Sequence, residues 1–261
     1  MIKETILLAI IEGLTEFLPI SSTGHLILAN QFLTFPNHFA STFDLVVQMG
    51  AILAVLLYWR KKLIPKNKAE LKEIFPLWKK VLVGCLPIFV LGFLFHEILE
   101  KYLFNPTAVA GALLVGSFYI WAAEHYVKKN QQKATKTTEQ MTYRDALSIG
   151  TLQCFSLWPG FSRAAATMGG GIFSGLSRAA ATEFSFYLAI PTLTAAGIFK
   201  LVTVQLILTQ EQIAALLIGT AISFVIAYGT IAFLMKWVQT KSLMPFVWYR
   251  ILLAVVVLWY S

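Results

Sequence analysis

The sequence predicts an all-α polytopic membrane protein built from inverted-topology repeats, each a re-entrant helix hairpin followed by three transmembrane helices. Three observations lead there: a deficit of charge along the whole chain, long clean apolar runs, and two apolar segments broken by polar residues. Of the 261 residues, 57% are hydrophobic and 13% are charged, against roughly a quarter charged in a soluble domain. The mean hydropathy is +0.70. Lipid is therefore the expected solvent over the full length, which suits about six to eight spans of roughly 20 residues in one membrane domain.

The first broken segment, 6–33, is interrupted by Glu12, Glu16, Pro19 and the cluster Ser21-Ser22-Thr23-Gly24-His25. Clean apolar runs follow at 43–59, 81–96 and 107–127. The second broken segment, 145–175, is interrupted by Pro159-Gly160, Ser162, Arg163 and Gly169-Gly170-Gly171, and runs at 183–204, 213–235 and 245–260 follow it. Irregular backbone at membrane depth survives only where it is buried in protein or lines a wet cavity, so both broken segments read as hairpins. Three spans per copy is an odd number, which inverts the second copy relative to the first. Repeat one then covers about 1–127, a cytoplasmic linker about 128–143, and repeat two about 144–261. Leu18-Pro19-Ile20-Ser21-Ser22 is echoed by Trp158-Pro159-Gly160-Phe161-Ser162, with serine three residues after proline in both. An acid beside phenylalanine follows each hairpin, as Phe43-Asp44 and Glu183-Phe184. Inverted repeats with broken helices place a site near the membrane midplane, at the repeat interface.

The net charge of +8 has its origin in loops: residues 60–80 hold eight Lys/Arg, 128–144 hold five and 236–241 hold two. The alternate connections 34–42 and 205–212 hold none, and 97–106 hold only Lys101. The positive-inside rule puts the basic loops in the cytoplasm and both termini outside, with the first hairpin opening outward and the second inward. Nucleic acid is not needed to explain the charge. Cys85 and Cys154 lie far apart in apolar surroundings and imply neither a disulfide framework nor a metal motif. The apolar run Ile6–Ile11 is short for a cleaved signal and reads as part of the mature fold.

Glu12 and Glu16 are four residues apart and share a helix face. Two carboxylates in an apolar hairpin repel each other and lose hydration, so one takes a proton or the pair binds a cation. Mg²⁺ and Ca²⁺ favour such hard oxygen ligands. Pro19 is expected to end the first helix, and the next is expected to start near Gly24 or His25. Free N–H groups at that start favour an anion such as phosphate. Plain N-capping accounts for one of the hydroxyls of Ser21, Ser22 and Thr23. A serine there is also a candidate nucleophile, with His25 or a glutamate as its base. Arg163 is the only positive charge between Arg144 and Arg178. An intramembrane arginine is a functional-site hypothesis, and its guanidinium fork suits phosphate; an internal ion pair with Glu183 is the structural alternative. Gly169 to Gly171 suit close approach of backbone to a ligand or close packing of helices. The whole set suits phosphoryl transfer from a lipid-borne phosphate, although spacing alone fits an anion transporter equally well.

At these residues the chain resembles the bacterial undecaprenyl-diphosphate phosphatases, the bacitracin-resistance proteins. The stretch from Glu12 to His25 is similar to that family's first signature almost residue for residue. Trp158-Pro159-Gly160-Phe161-Ser162-Arg163 with Thr167 is similar to the second. Leu94-Phe95-His96, Met141-Thr142-Tyr143-Arg144 and Glu183-Phe184-Ser185-Phe186 extend the resemblance over nearly the full length. It implies a hydrolase that removes the terminal phosphate of undecaprenyl diphosphate and returns the monophosphate carrier to peptidoglycan and other wall-polymer synthesis. It also implies a site facing outward from the cytoplasmic (inner) membrane, a divalent-cation requirement and a link to bacitracin, which sequesters the diphosphate. Membrane lipid and the lipid diphosphate are the implied partners, and a homodimer is left open. By position, the resemblance makes Glu12 and Glu16 the essential acids and metal ligands, and Ser22 a nucleophile or phosphate ligand. His25 becomes a catalytic candidate and Arg163 the grip on the diphosphate, with Ser21, Thr23, Ser162 and Thr167 lining the substrate. One departure stands out: Ala164-Ala165 replace the family's usual Ser-Gly after the arginine, which removes any essential hydroxyl from that position.

Two rival readings remain. A lipid flippase or transporter fits the same architecture, which does not fix function. A type-2 phosphatidic-acid phosphatase needs a lysine-rich motif upstream and a second histidine, whereas only Lys3 precedes Ser21 and no histidine follows His125.

Overall fold

The computed structural model describes residues 1–33, 37–130, 134–203 and 208–260, and these are helical apart from turns and an isolated bridge between Lys136 and Leu176. Helices α1 (Ile2–Thr15) and α2 (Ser22–Phe32) form the first hairpin. Then come α3 (Asn37–Tyr58), the short α4 (Arg60–Leu63), α5 (Lys68–Leu103) and α6 (Pro106–Lys129). Helix α7 (Tyr143–Gln153), a 3-10 turn (Cys154–Leu157) and α8 (Arg163–Phe173) form the second hairpin, followed by α9 (Arg178–Thr203), α10 (Gln210–Thr240) and α11 (Met244–Trp259). Lys68–Phe95, α6 and α10 are long and apolar enough to cross a membrane, and Thr42–Tyr58 and α11 are shorter apolar helices. Their outer faces carry large exposed apolar side chains such as Leu86, Phe93, Leu217 and Trp248. Apolar exposure on that scale marks a lipid-facing surface. The chain is an all-α polytopic membrane protein.

Local chemistry sets the helix starts. Asn67 accepts from the Glu70 amide and begins α5, so that, with α4, most of the lysine-rich stretch 60–80 expected as a loop is helical; lysine and glutamate are good helix formers. Asn105 caps α6 ahead of Pro106, and capping boxes start α7 (Thr142 with Asp145) and α10 (Thr209 with Gln212). The expected start of α2 at Gly24 or His25 is corrected to Ser22, because Ser21 takes the cap and accepts from the Gly24 amide. Helix α1 ends at Thr15, ahead of Pro19, and the chain turns over Glu16–Ile20. Residues 34–36, 131–133 and 204–207, parts of the expected connection 34–42, the linker 128–143, the end of the 183–204 run and the connection 205–212, lie outside the described residues, whereas 37–42 already belong to α3 and 210–212 to α10.

The packing interleaves the two halves. Helix α1 packs on α10 as α7 packs on α5; α2 packs on α11 as α8 packs on α6; α3 meets α9 and α6 meets α11. Small residues make the closest crossings possible. Gly150 of α7 lies against the Gly84 backbone of α5, and Gly13 of α1 lies against Ser223 and Ile226 of α10. The glycine run of α8 serves the same purpose: Gly169 faces the Tyr119 ring, Gly170 faces Ile149 and Leu152, and Gly171 faces Ala181. All three are buried among helices. The central core includes Phe17, Phe184, Phe186 and Tyr187, and α9 is buried from Ala180 to Ala189.

Candidate active site

Both hairpin turns are built around a serine with positive φ. Ser21 has φ 72° and Ser162 φ 74°, and among the described residues no other non-glycine residue has a positive φ. Such backbone costs on the order of 1–3 kcal/mol and persists where the surroundings enforce it. Each serine caps the helix that follows: Ser21 Oγ accepts from the Gly24 amide at 3.3 Å and Ser162 Oγ from the Ala165 amide at 3.2 Å. Ser162 is thus the counterpart of Ser21, not of Ser22 as the spacing from proline implied. Gly160 supplies the extra residue in the second turn; its φ is +98°, and a Cβ there would meet the Val109 carbonyl.

The two turns face one cavity of about 210 Å³. Glu16, Ser21, Ser22 and Thr23 line it from the first hairpin, and Ser156, Pro159, Gly160, Ser162 and Arg163 from the second. Gln48 of α3 and Thr192 of α9 add polar groups, while Ile88, Leu193 and Ala196 make an apolar wall. The starts of α2 and α8 therefore converge on the same space, and helix N-termini favour anions.

Glu16 joins the halves. Its Oε1 accepts from Arg163 Nη2 at 2.9 Å and its Oε2 accepts from the Ser22 hydroxyl at 2.8 Å. This ion pair is buried, with side-chain exposures of 8% for Arg163 and 6% for Glu16. Arg163 Nη1 donates to the Ser185 carbonyl at 3.0 Å, and its Nε is buried without a partner. Phe17 lies under the guanidinium, with Cζ 5.5 Å from the ring centroid, and packs edge-on against Phe186. Glu183, the structural alternative, is not the partner of Arg163. It accepts instead from Lys62 at 2.7 Å, Thr138 at 3.1 Å and Tyr187. These groups belong to a second cavity of about 410 Å³, where Lys61, Lys62 and Lys80 are balanced by Glu73, Glu139 and Glu183.

Three residues expected in the site do not line the cavity. Glu12 is 2% exposed, and both of its carboxylate oxygens are buried without a hydrogen-bond partner. His25 Nδ1 donates to the Ser21 carbonyl at 2.7 Å, which leaves Nε2 to accept from the Tyr249 hydroxyl at 2.7 Å. Both ring nitrogens are thereby engaged. Thr167 is buried and bonds Ser185 Oγ at 2.6 Å, within the frame that holds Arg163. Among the described residues no group of three or more His, Cys, Asp or Glu is placed to hold a metal. A cation that takes only one or two carboxylates and completes its shell with phosphate and water still fits the orphaned oxygens of Glu12 beside Glu16.

Sequence reasoning missed Gln48, Ser156, Ser185, Thr192, Tyr249 and Arg250. Only Arg250 carried a usable signal, since it is a lone charge in the apolar run 245–260. It is fully buried, and like Arg163 it is an intramembrane arginine, a residue type that marks a functional site.

Fold and cavity together define a class: a polytopic membrane protein with an anion-facing polar site between two hairpin turns. The family described as bacitracin resistance protein BacA matches residues 5–256. A protein named undecaprenyl-diphosphatase from Sorangium cellulosum is 44% identical over 261 residues, covering 98% of this chain and 85% of the relative. One of the same name from a Polaromonas species is 44% identical, covering 99% of this chain and 94% of the relative. Undecaprenyl-diphosphatase 1 of Oenococcus oeni is 42% identical, with 98% and 95% covered. The chain belongs to the bacitracin resistance protein family.

Proposed function

We propose that this protein hydrolyses undecaprenyl diphosphate to undecaprenyl phosphate and orthophosphate, at a site facing outward from the cytoplasmic membrane. The observation that carries this reading is the chain Ser22–Glu16–Arg163, which puts a hydroxyl, a base and a guanidinium from two hairpins at one cavity. The names of the relatives support the substrate. The basic loops support the orientation, and the exchange of helix contacts between halves supports an inverted repeat.

Ser22 Oγ attacks the terminal phosphorus while its proton passes to Glu16 Oε2. The bond from that phosphorus to the bridging oxygen breaks, and undecaprenyl phosphate leaves with the electron pair. Glu16 loses its proton to solvent and then accepts one from a water that attacks the phosphoserine. Orthophosphate departs, and Ser22 regains its proton. Arg163, the amides at the starts of α2 and α8, and the hydroxyls of Thr23 and Ser162 neutralise the phosphate oxygens. His25 and Thr167 orient the turns. Glu12 and Glu16 would hold a Mg²⁺ or Ca²⁺ ion. When bound, such an ion withdraws charge from the phosphate oxygens.

Phosphate release from undecaprenyl diphosphate by purified protein in detergent tests the reading. We expect orthophosphate and the monophosphate lipid in equal amounts, with loss of release on chelation. Absence of release by wild-type protein with Mg²⁺ or Ca²⁺ present would instead favour transport of the carrier, which the same inverted architecture suits.

A further inference from the structure

We propose that Arg250 is a positioning residue of this site: it clasps the turns of both hairpins and draws their carbonyls away from the bound anion. The inference rests on the diphosphate reading of the cavity. Arg250 is 0% exposed in the middle of α11. A buried cation is usually neutralised by a carboxylate. Every hydrogen-bond partner of Arg250 among the described residues is a neutral oxygen. Nη1 donates to the Pro19 carbonyl at 3.1 Å, and Nη2 donates to the carbonyls of Gly160 at 3.3 Å, Ala112 at 3.3 Å and Leu113 at 3.2 Å. Nε reaches the Leu113 carbonyl at 3.3 Å and the Ser117 hydroxyl at 3.4 Å.

Two of these acceptors are equivalent. Pro19 and Gly160 each stand two residues before the positive-φ serine of their hairpin, and three before the first residue of α2 or α8. One guanidinium therefore holds the same carbonyl in both turns, and with it the direction in which each helix start points. Gly160 lines the cavity, so a carbonyl turned inward there would repel a diphosphate. The guanidinium turns it outward and leaves its own positive charge unpaired just behind the turns. Two separate nitrogens do this, one for each hairpin, and a lysine has only one. Gly116 of α6 makes the room, because a Cβ there would collide with Nη2.

Arg250→Lys and Gly116→Ala test the proposal in purified protein. The readouts are the unliganded melting temperature, the rise in melting temperature with inorganic pyrophosphate, and kcat for phosphate release. We expect both variants to melt within a few degrees of wild type, to lose most of the pyrophosphate-induced rise, and to lose about tenfold or more in kcat. Folded variants with a wild-type pyrophosphate response and kcat overturn the proposal. Failure of both to fold also overturns it, since Arg250 is then a structural post. Wild-type protein that pyrophosphate stabilises but that releases no phosphate sinks the hydrolase reading alone, provided the variants lose the stabilisation. Wild-type protein that pyrophosphate does not stabilise overturns both.

Discussion

Glu16 serves the proposed chemistry and the assembly of the two halves with different oxygens, one on Ser22 and one on Arg163. Substitutions at this triangle should therefore separate chemistry from stability. Ser22→Ala removes the hydroxyl but leaves the ion pair, so it should keep the melting temperature and lose phosphate release, with no phosphoserine recovered by mass spectrometry after rapid acid quench. Release close to wild type from that variant would assign the attack to water. Arg163→Ala should lose activity by about 10²–10³-fold through the missing oxyanion contact. It should also lose about 3–5 kcal/mol of stability, because Glu16 is left buried and unpaired. Arg163→Lys keeps the charge without the fork and should fall between, in both turnover and thermal melts. Glu16, Ser22 and Arg163 were readable from the sequence because charge and clustered hydroxyls are conspicuous in apolar surroundings. Gln48, Ser185 and Thr192 were not, since single uncharged polar residues occur on any helix. Whether a polar residue faces the cavity, as Gln48 does, or stays behind it, as Glu12 does, depends on helix rotation that spacing alone does not set.

The hairpins were readable as elements because prolines, glycines and hydroxyls interrupt otherwise apolar segments. Their registration was not. Proline-to-serine spacing matched Ser162 with Ser22, whereas the backbone matches it with Ser21, and only the positive φ of both reveals the extra residue in the second turn. The start of α2 is hidden for the same reason: three consecutive hydroxyls offer three possible caps, and tertiary contacts select Ser21. The length of α5 was also hidden, because a lysine-rich stretch reads as a loop until its cap at Asn67 is recognised. The crossing of α5 and α7 gives a sharp test of the packing. Gly150→Val would push a side chain into the Gly84 backbone. Overpacking of this kind costs about 1–3 kcal/mol, so the variant should melt earlier and lose activity in proportion to its unfolded fraction. An unchanged melting temperature would mean that the helices do not cross there.

Across the whole molecule, each hairpin is held chiefly by the opposite half, α1 by α10 and α7 by α5. Neither half can therefore complete the cavity alone. The charge asymmetry of the loops implies an orientation that labelling in intact cells checks. In a background lacking Cys85 and Cys154, a membrane-impermeant maleimide should label Glu97→Cys from outside and leave Lys66→Cys unlabelled until the membrane is opened. The reverse pattern would turn the protein over.

The most direct measurement is a structure with a non-hydrolysable undecaprenyl methylenediphosphonate bound. We expect the terminal phosphonate within hydrogen-bond reach of Ser22 and Arg163 together, between the starts of α2 and α8. A headgroup resolved away from either residue, for example among the lysines of the second cavity, would contradict the proposed site.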